Sequence, residues 1–292
     1  MSTHETSIEQ MHDAAQSLRP VSLWRWSLPL LGITLLLSQP LAGATPSFKV
    51  LVFSKTAAFR HASIPDGIAA IRALGAANNF TVDATEDGNA FTDANLAQYQ
   101  VVIFLSTTGN VLNSSQQAAF ERFIGGGRGY VGIHAASDTE YEWPWYGGLV
   151  GAYFKNHPEI QDAAIDVENR THPSTAGLPA RWERRDEWYN FQTNPRSQVL
   201  VLATLDETSY SGGEMSGDHP IAWCHSYSGG RAWYTAGGHT SESFDEPLFR
   251  QHLLGGILWA ANVSTTPTPT PTPTTPSTPR TPRGFLPLLL KR

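Results

Sequence analysis

Apolar residues in this chain come first in runs and later in alternation. Lys49 to Ser54 (KVLVFS) and Val101 to Leu105 (VVIFL) are near-continuous apolar stretches, the pattern of strands buried on both faces. Phe80 to Ala84 and Tyr130 to Ile133 predict two more strands. Between them, Ile64, Ile68, Ile71 and Leu74 form a helical stripe, with Ser63 as its expected cap and Pro65 and Asp66 in its first turn. Ser114 and Gln117 make an expected capping box for a helix through Phe120, Phe123 and Ile124, and Gly125 to Gly129 then break the chain. This β-α-β-α-β order predicts an α/β fold, a doubly wound and mostly parallel sheet with helices on both faces. Further on, Val199 to Ala203 reads as a strand. Ile221 to Tyr227 and Arg231 to Thr235, joined across Ser228-Gly229-Gly230, read as an added antiparallel hairpin. Pro247 to Ala261 reads as a closing helix.

The ends follow different patterns. Residues 1–44 carry Arg19 and Arg25, an apolar run from Leu28 to Leu37, and Leu41-Ala42-Gly43-Ala44, which together read as a signal peptide cleaved after Ala44. Left uncleaved, the same segment would be a single N-terminal membrane anchor. Residues 45–262 are then one domain, long enough for a single sizeable core. Residues 263–283 (VSTTPTPTPTPTTPSTPRTPR) are a Thr/Pro-rich linker, and 284–292 a short apolar and basic tail that is a second candidate for envelope attachment.

Composition narrows the function. The balance of 20 Lys+Arg against 26 Asp+Glu gives a net charge of −6, with no basic block outside the leader. Nucleic acid is therefore not expected as a partner, because phosphate binding needs clustered cations. The single cysteine, Cys224, excludes an internal disulfide. It alternates with Trp223 and His225 in the expected hairpin, which makes it a buried thiol rather than a nucleophile.

The segment Gly132-Ile133-His134-Ala135-Ala136 ends a parallel strand on a turn of small residues, the place where many α/β enzymes carry a nucleophile. With it stand Phe59-Arg60-His61, Trp143-Pro144-Trp145-Tyr146-Gly147, His157-Pro158, Asp186-Glu187-Trp188-Tyr189, Asp218-His219-Pro220-Ile221-Ala222-Trp223, Gly230-Arg231, Tyr234-Thr235 and Gly238-His239-Thr240. On these stretches Lys49 to Asn262 resembles the ThuA-like (trehalose-utilisation) family of the class I glutamine-amidotransferase-like superfamily. The resemblance implies a flavodoxin-like fold and a link to disaccharide and oxidised-sugar metabolism. The amidotransferase relatives place a cysteine at the elbow; here the position is His134, so glutaminase activity is not expected.

His134 stands at the C-terminal end of a parallel strand, where open α/β sheets bind ligands. His61, in the loop after the first strand, opens over the same edge, and His239 follows glycines that would let it turn into a cleft. His157 and His219 precede proline and join the candidates through the resemblance; His172 does not. His225 and His252 read as a hairpin-face and a helix-surface residue. Asp186-Glu187 follows a charge run whose ordinary reading is a solvated surface. Yet it leads into Trp188-Tyr189-Asn190-Phe191, and a carboxylate beside aromatics suits acid/base work. The candidate catalytic residues are thus His134, Glu187 and Asp186, with Asp138 and Glu140 as further carboxylates for the same role. Candidate substrate-binding residues are His61, Trp143, Trp145, Tyr146, His157, Trp188, His219 and His239. Indoles stack on the C–H faces of sugars, and Trp143-Pro144-Trp145 is expected on a loop.

No local metal-binding spacing is present. A divalent ion, if held, would draw its ligands from His61, His134, His157, His239 and Glu187. Two readings remain: an exported enzyme acting on a glycoside, disaccharide or oxidised sugar, and a non-catalytic carbohydrate-binding module.

Overall fold

Five parallel strands carry the apolar core. In the computed structural model, which describes residues 48–263, these are β1 (Phe48–Phe53), β2 (Phe80–Thr85), β3 (Val101–Leu105), β4 (Gly129–Ile133) and, later in the chain, β11 (Gly230–Thr235). The leader expected over 1–44, and the linker and tail expected beyond Val263, lie outside the described residues. Val101 to Leu105 is wholly buried, as its unbroken apolar run requires. Among the described residues the α-helices are α1 (Ile64–Ala77), α2 (Asp93–Leu96), α3 (Ser114–Gly125), α4 (Pro144–Val150) and α5 (Pro247–Ala260), and none of them is long and apolar enough to cross a membrane. Helices cover both faces. Phe120 of α3 and Tyr146 of α4 pack on Phe104 and Tyr130. On the other face Gly256 of α5 lies against Trp233, so close that a Cβ there would come within 2.5 Å of the indole.

The remaining strands are β5 (Phe154–Asn156), β6 (Gln161–Val167), β7 (Arg181–Asp186), β8 (Asn190–Phe191), β9 (Leu200–Leu205) and β10 (His219–Tyr227). The large sheet runs β2-β1-β3-β4-β11-β10-β9-β6-β7, and β5 pairs with β8 apart from it. From β11 onward every pairing is antiparallel, so the expected hairpin is the start of a four-strand extension. Four reversals restore direction: β7 runs the same way as β1, β4 and β11. The C-terminal ends of all four therefore face one edge of the molecule.

Two local expectations are corrected. The capping box of α3 is Asn113 with Gln116, one residue earlier than Ser114 with Gln117, because Asn113 holds the extended backbone a cap needs. Ser63 does not cap α1 with its side chain; its Oγ donates to the Gly238 carbonyl at 3.1 Å. That bond ties the start of α1 to the loop that carries His239.

Candidate active site

His134 sits directly after β4 with φ +52°, a left-handed conformation unusual for a side-chain-bearing residue. Such strain is stored where surrounding structure fixes it, often at functional turns. Nδ1 of His134 lies 2.7 Å from the Ala236 carbonyl. A carbonyl only accepts, so Nδ1 carries the proton and donates it, and in the neutral ring Nε2 presents a lone pair. Nε2 faces Oε2 of Glu187 at 3.3 Å and Nδ1 of His239 at 3.2 Å. His239 Nδ1 is itself 2.9 Å from Glu187 Oε2, and His157 Nδ1 is 3.1 Å from Oε1. The His61 ring completes the group, 4.7 Å from the His134 ring and 5.1 Å from that of His239, both edge-on. Its Nδ1 is buried and has no hydrogen-bond partner among the described residues.

Each group arrives from a different strand end. His61 follows β1, His134 follows β4, Glu187 follows β7 and His239 follows β11. The His239 loop depends on Gly238, whose φ of +114° is one that side-chain-bearing residues rarely adopt. It is held by Asp186, the last residue of β7. Its Oδ2 accepts from Gly238 N–H at 2.8 Å and Ser243 Oγ at 2.9 Å, and its Oδ1 from His239 N–H at 3.1 Å. Arg184 Nη1 pairs with Asp186 Oδ2 at 3.1 Å. Asp186 is thus fully buried and faces the loop backbone, so between the two acids it is Glu187 that reaches the cleft.

The cleft, of about 320 Å³, is lined by His61, His157, Glu187 and His239 together with Phe59, Asp138, Phe154 and Tyr189. That volume lies at the lower end of the range of small-ligand sites. Phe59 is 63% exposed at its mouth. The Tyr189 ring lies 4.2 Å from that of His134 and 4.3 Å from that of Phe154 between centres, tilted by 34° and 50°.

Several candidates are placed away from this cleft. Trp143, Trp145 and Tyr146 are not on a loop: Pro144 begins α4, and the rings pack on Phe120 and Tyr130 while Trp143 Nε1 donates to Glu121. Trp188 is fully buried and donates to the Gln161 carbonyl. His219, also buried, donates through Nε2 to the Tyr189 carbonyl and so supports the ring that lines the cleft. Glu140 accepts from the backbone of Val111 and Leu112 and is structural. His252 lies in the core against Trp233 and Phe249 rather than on a helix surface. Tyr189, Phe154 and Phe59 were not among the expected site residues. Alternation held the signal for Tyr189, since in an extended chain it shares a side with Glu187 and sends Trp188 the other way.

Electrostatics follow from this packing. Burial pushes the Glu187 carboxyl up, but hydrogen bonds and charge from His134 and His239 more than reverse it and hold the group below the usual carboxylate range. Burial lowers His239, and Glu187 outweighs that effect and raises it. Burial, with the charges of His134 and His239, brings His61 down to about 3, so this ring is neutral at neutral pH. Asp138 is raised by burial against an opposing hydrogen bond from Tyr141. Cys224 is buried in β10 and its thiol is pushed up to about 12 by burial, as suits an inert thiol.

The family model described as ThuA, trehalose utilisation, matches residues 49–260. No curated protein matches the chain. A ThuA-like protein from Bacteroides uniformis is 28% identical with a TM-score of 0.65, over 74% of this chain and 92% of that one. A ThuA-like protein from Parabacteroides merdae gives 19% identity and a TM-score of 0.63, over 75% and 91%. A β-galactosidase from Bacillus circulans sp. alkalophilus is similar in fold alone, at 14% identity and a TM-score of 0.51 over 74% of this chain and 31% of that one.

Proposed function

Because the chain belongs to the ThuA family, we propose that it is an exported enzyme acting on a carbohydrate: a disaccharide, a glycoside or an oxidised keto-sugar. The observation that carries this reading is the convergence of His61, His134, His239 and Glu187 beneath an aromatic-lined cleft. Phe59 and Phe154 offer ring surface to the C–H faces of a sugar, with Tyr189 packed behind Phe154. Asp138 and His157 stand in the same cleft as hydrogen-bonding partners for hydroxyls. Glu187 and the imidazoles against it supply acid/base groups, or ligands for metal-assisted chemistry. Glutaminase chemistry is not part of the proposal, because the elbow carries an imidazole and the lone thiol is buried elsewhere. The leader supports export, and with it envelope or extracellular location.

The test is a turnover panel of glycosides, disaccharides and 3-keto-sugars, run with and without Zn²⁺, Mn²⁺ or Mg²⁺. The chain would be purified from the exported fraction of its native host, where its N-terminus should read Thr45. His134→Gln keeps a side chain of similar size and removes the titratable nitrogen. It should lower turnover by roughly 10²–10⁴-fold while the melting transition stays close to wild type. Full activity in that variant would remove His134 from the chemistry. If wild-type protein turned over no member of the panel yet bound sugars, with affinity resting on Phe59 and Phe154, the binding-module reading would replace the enzyme.

A further inference from the structure

We propose that His61, His134, His239 and Glu187 together hold one divalent transition-metal ion at the base of the cleft. The inference rests on reading this cluster as the reactive centre, and says what the centre carries.

Hydrogen-bond economy is the first argument. With Nδ1 of His134 committed to the Ala236 carbonyl, the neutral ring turns a lone pair toward a carboxylate oxygen and a second imidazole nitrogen. A proton on Nε2 of His134 or on Nδ1 of His239 would satisfy one such contact. It would leave Nδ1 of His61 without a partner, in a residue only 4% exposed. A cation takes a donor from all four residues at once.

Distance is the second. The four donor atoms all lie within 4.8 Å of one another. Tetrahedral bonds of about 2.0–2.1 Å imply donor–donor edges of about 3.4 Å. The contacts among His134, His239 and Glu187 are 2.9, 3.2 and 3.3 Å, close to those edges.

Support around the donors is the third. Metal-bound imidazoles commonly donate their other nitrogen to a carbonyl or carboxylate, and ligating carboxylates are themselves held. His134 is held by Ala236 and the His239 backbone by Asp186, while His157 Nδ1 lies 3.1 Å from Oε1 of Glu187. Three imidazoles and one carboxylate suit zinc, nickel or iron rather than magnesium or calcium. His134 seals the floor, while His61, Glu187 and His239 open to the cleft, where a substrate oxygen would approach the ion.

The test strips the full-length chain with a chelator and titrates it with Zn²⁺ by calorimetry, then with Co²⁺ by visible absorption. One Zn²⁺ per chain and a Co²⁺ spectrum of tetrahedral type are expected. His61→Gln and His239→Gln, each checked by circular dichroism, should weaken Zn²⁺ binding by roughly 100-fold or more. His225→Gln, whose ring lies outside the cluster against the Leu149 carbonyl, should leave binding unchanged. A wild-type chain that takes up neither ion overturns the proposal. So do His61→Gln and His239→Gln chains that bind Zn²⁺ within about twofold of wild type, where loss of an outer support alone costs about 10–100-fold. Zn²⁺ binding with an inert sugar panel upholds the ion and sinks the carbohydrate reading. Sugar turnover by stripped chain with no Zn²⁺ bound does the reverse.

Discussion

Asp186 shows how one buried anion positions a site it does not line. It anchors the backbone of Gly238 and His239, receives Ser243, and balances Arg184, whose Nη2 is already buried without a partner. Asp186→Ala would leave Arg184 with Glu246 alone, at 3.0 Å, and release the His239 loop. Breaking one side of a buried pair costs about 3–5 kcal/mol, so urea unfolding should show a loss of that size. A loss under about 0.5 kcal/mol, the range of ordinary surface changes, would mean that Asp186 does not hold this loop. The sequence pointed to Asp186-Glu187 as a pair and could not divide their roles. Alternation along β7 does divide them. Trp182, Arg184 and Asp186 face inward, and Glu187 is the first residue beyond the strand.

At the scale of elements, the parallel strands were legible because burial on both faces leaves an unbroken apolar run. Val101 to Leu105 is predicted and observed with the same bounds. His134 was legible for a related reason, since the end of such a strand is where a parallel sheet opens to ligands. The last two strands of the extension, β6 and β7, were harder to see. In Arg181 to Asp186 the outward residues are charged and the inward ones include Arg184 and Asp186, so a period-2 strand reads like a solvated charge run. The misplaced tryptophans have a different cause. Pro144 starts α4 instead of prolonging a loop, and a helix entered at Trp143 turns the rings of 143 and 145 onto α3 and that of 146 onto Phe104 and Tyr130 of the sheet.

For the whole molecule, burial of imidazoles sets how stability responds to acid. His252 is brought down to about 3 chiefly by burial, and His172 to about 4 by burial, against an ordinary value of 6.5. Unfolded chains bind protons on these rings below pH 6.5, while folded ones do not until pH 3–4. Their contribution to stability is therefore complete above 6.5 and is lost as pH falls toward the folded values. Each ring adds up to about 1.4 kcal/mol per pH unit to that slope. Urea midpoints measured from pH 7 to 5 should fall less steeply in His252→Gln than in wild type; equal slopes would refute the assignment. The terminal strand β7 has a consequence for the company this protein keeps. It pairs with β6 on one side only, and its outward row is Arg181, Glu183 and Arg185. A second copy laying a strand along that border would have to desolvate three charges, which is how natural sheets discourage endless growth. Among the described residues the sheet ends on a charged strand with no further strand paired to it. Replacing the three charges with valine should turn a well-behaved chain into one whose light scattering climbs with concentration.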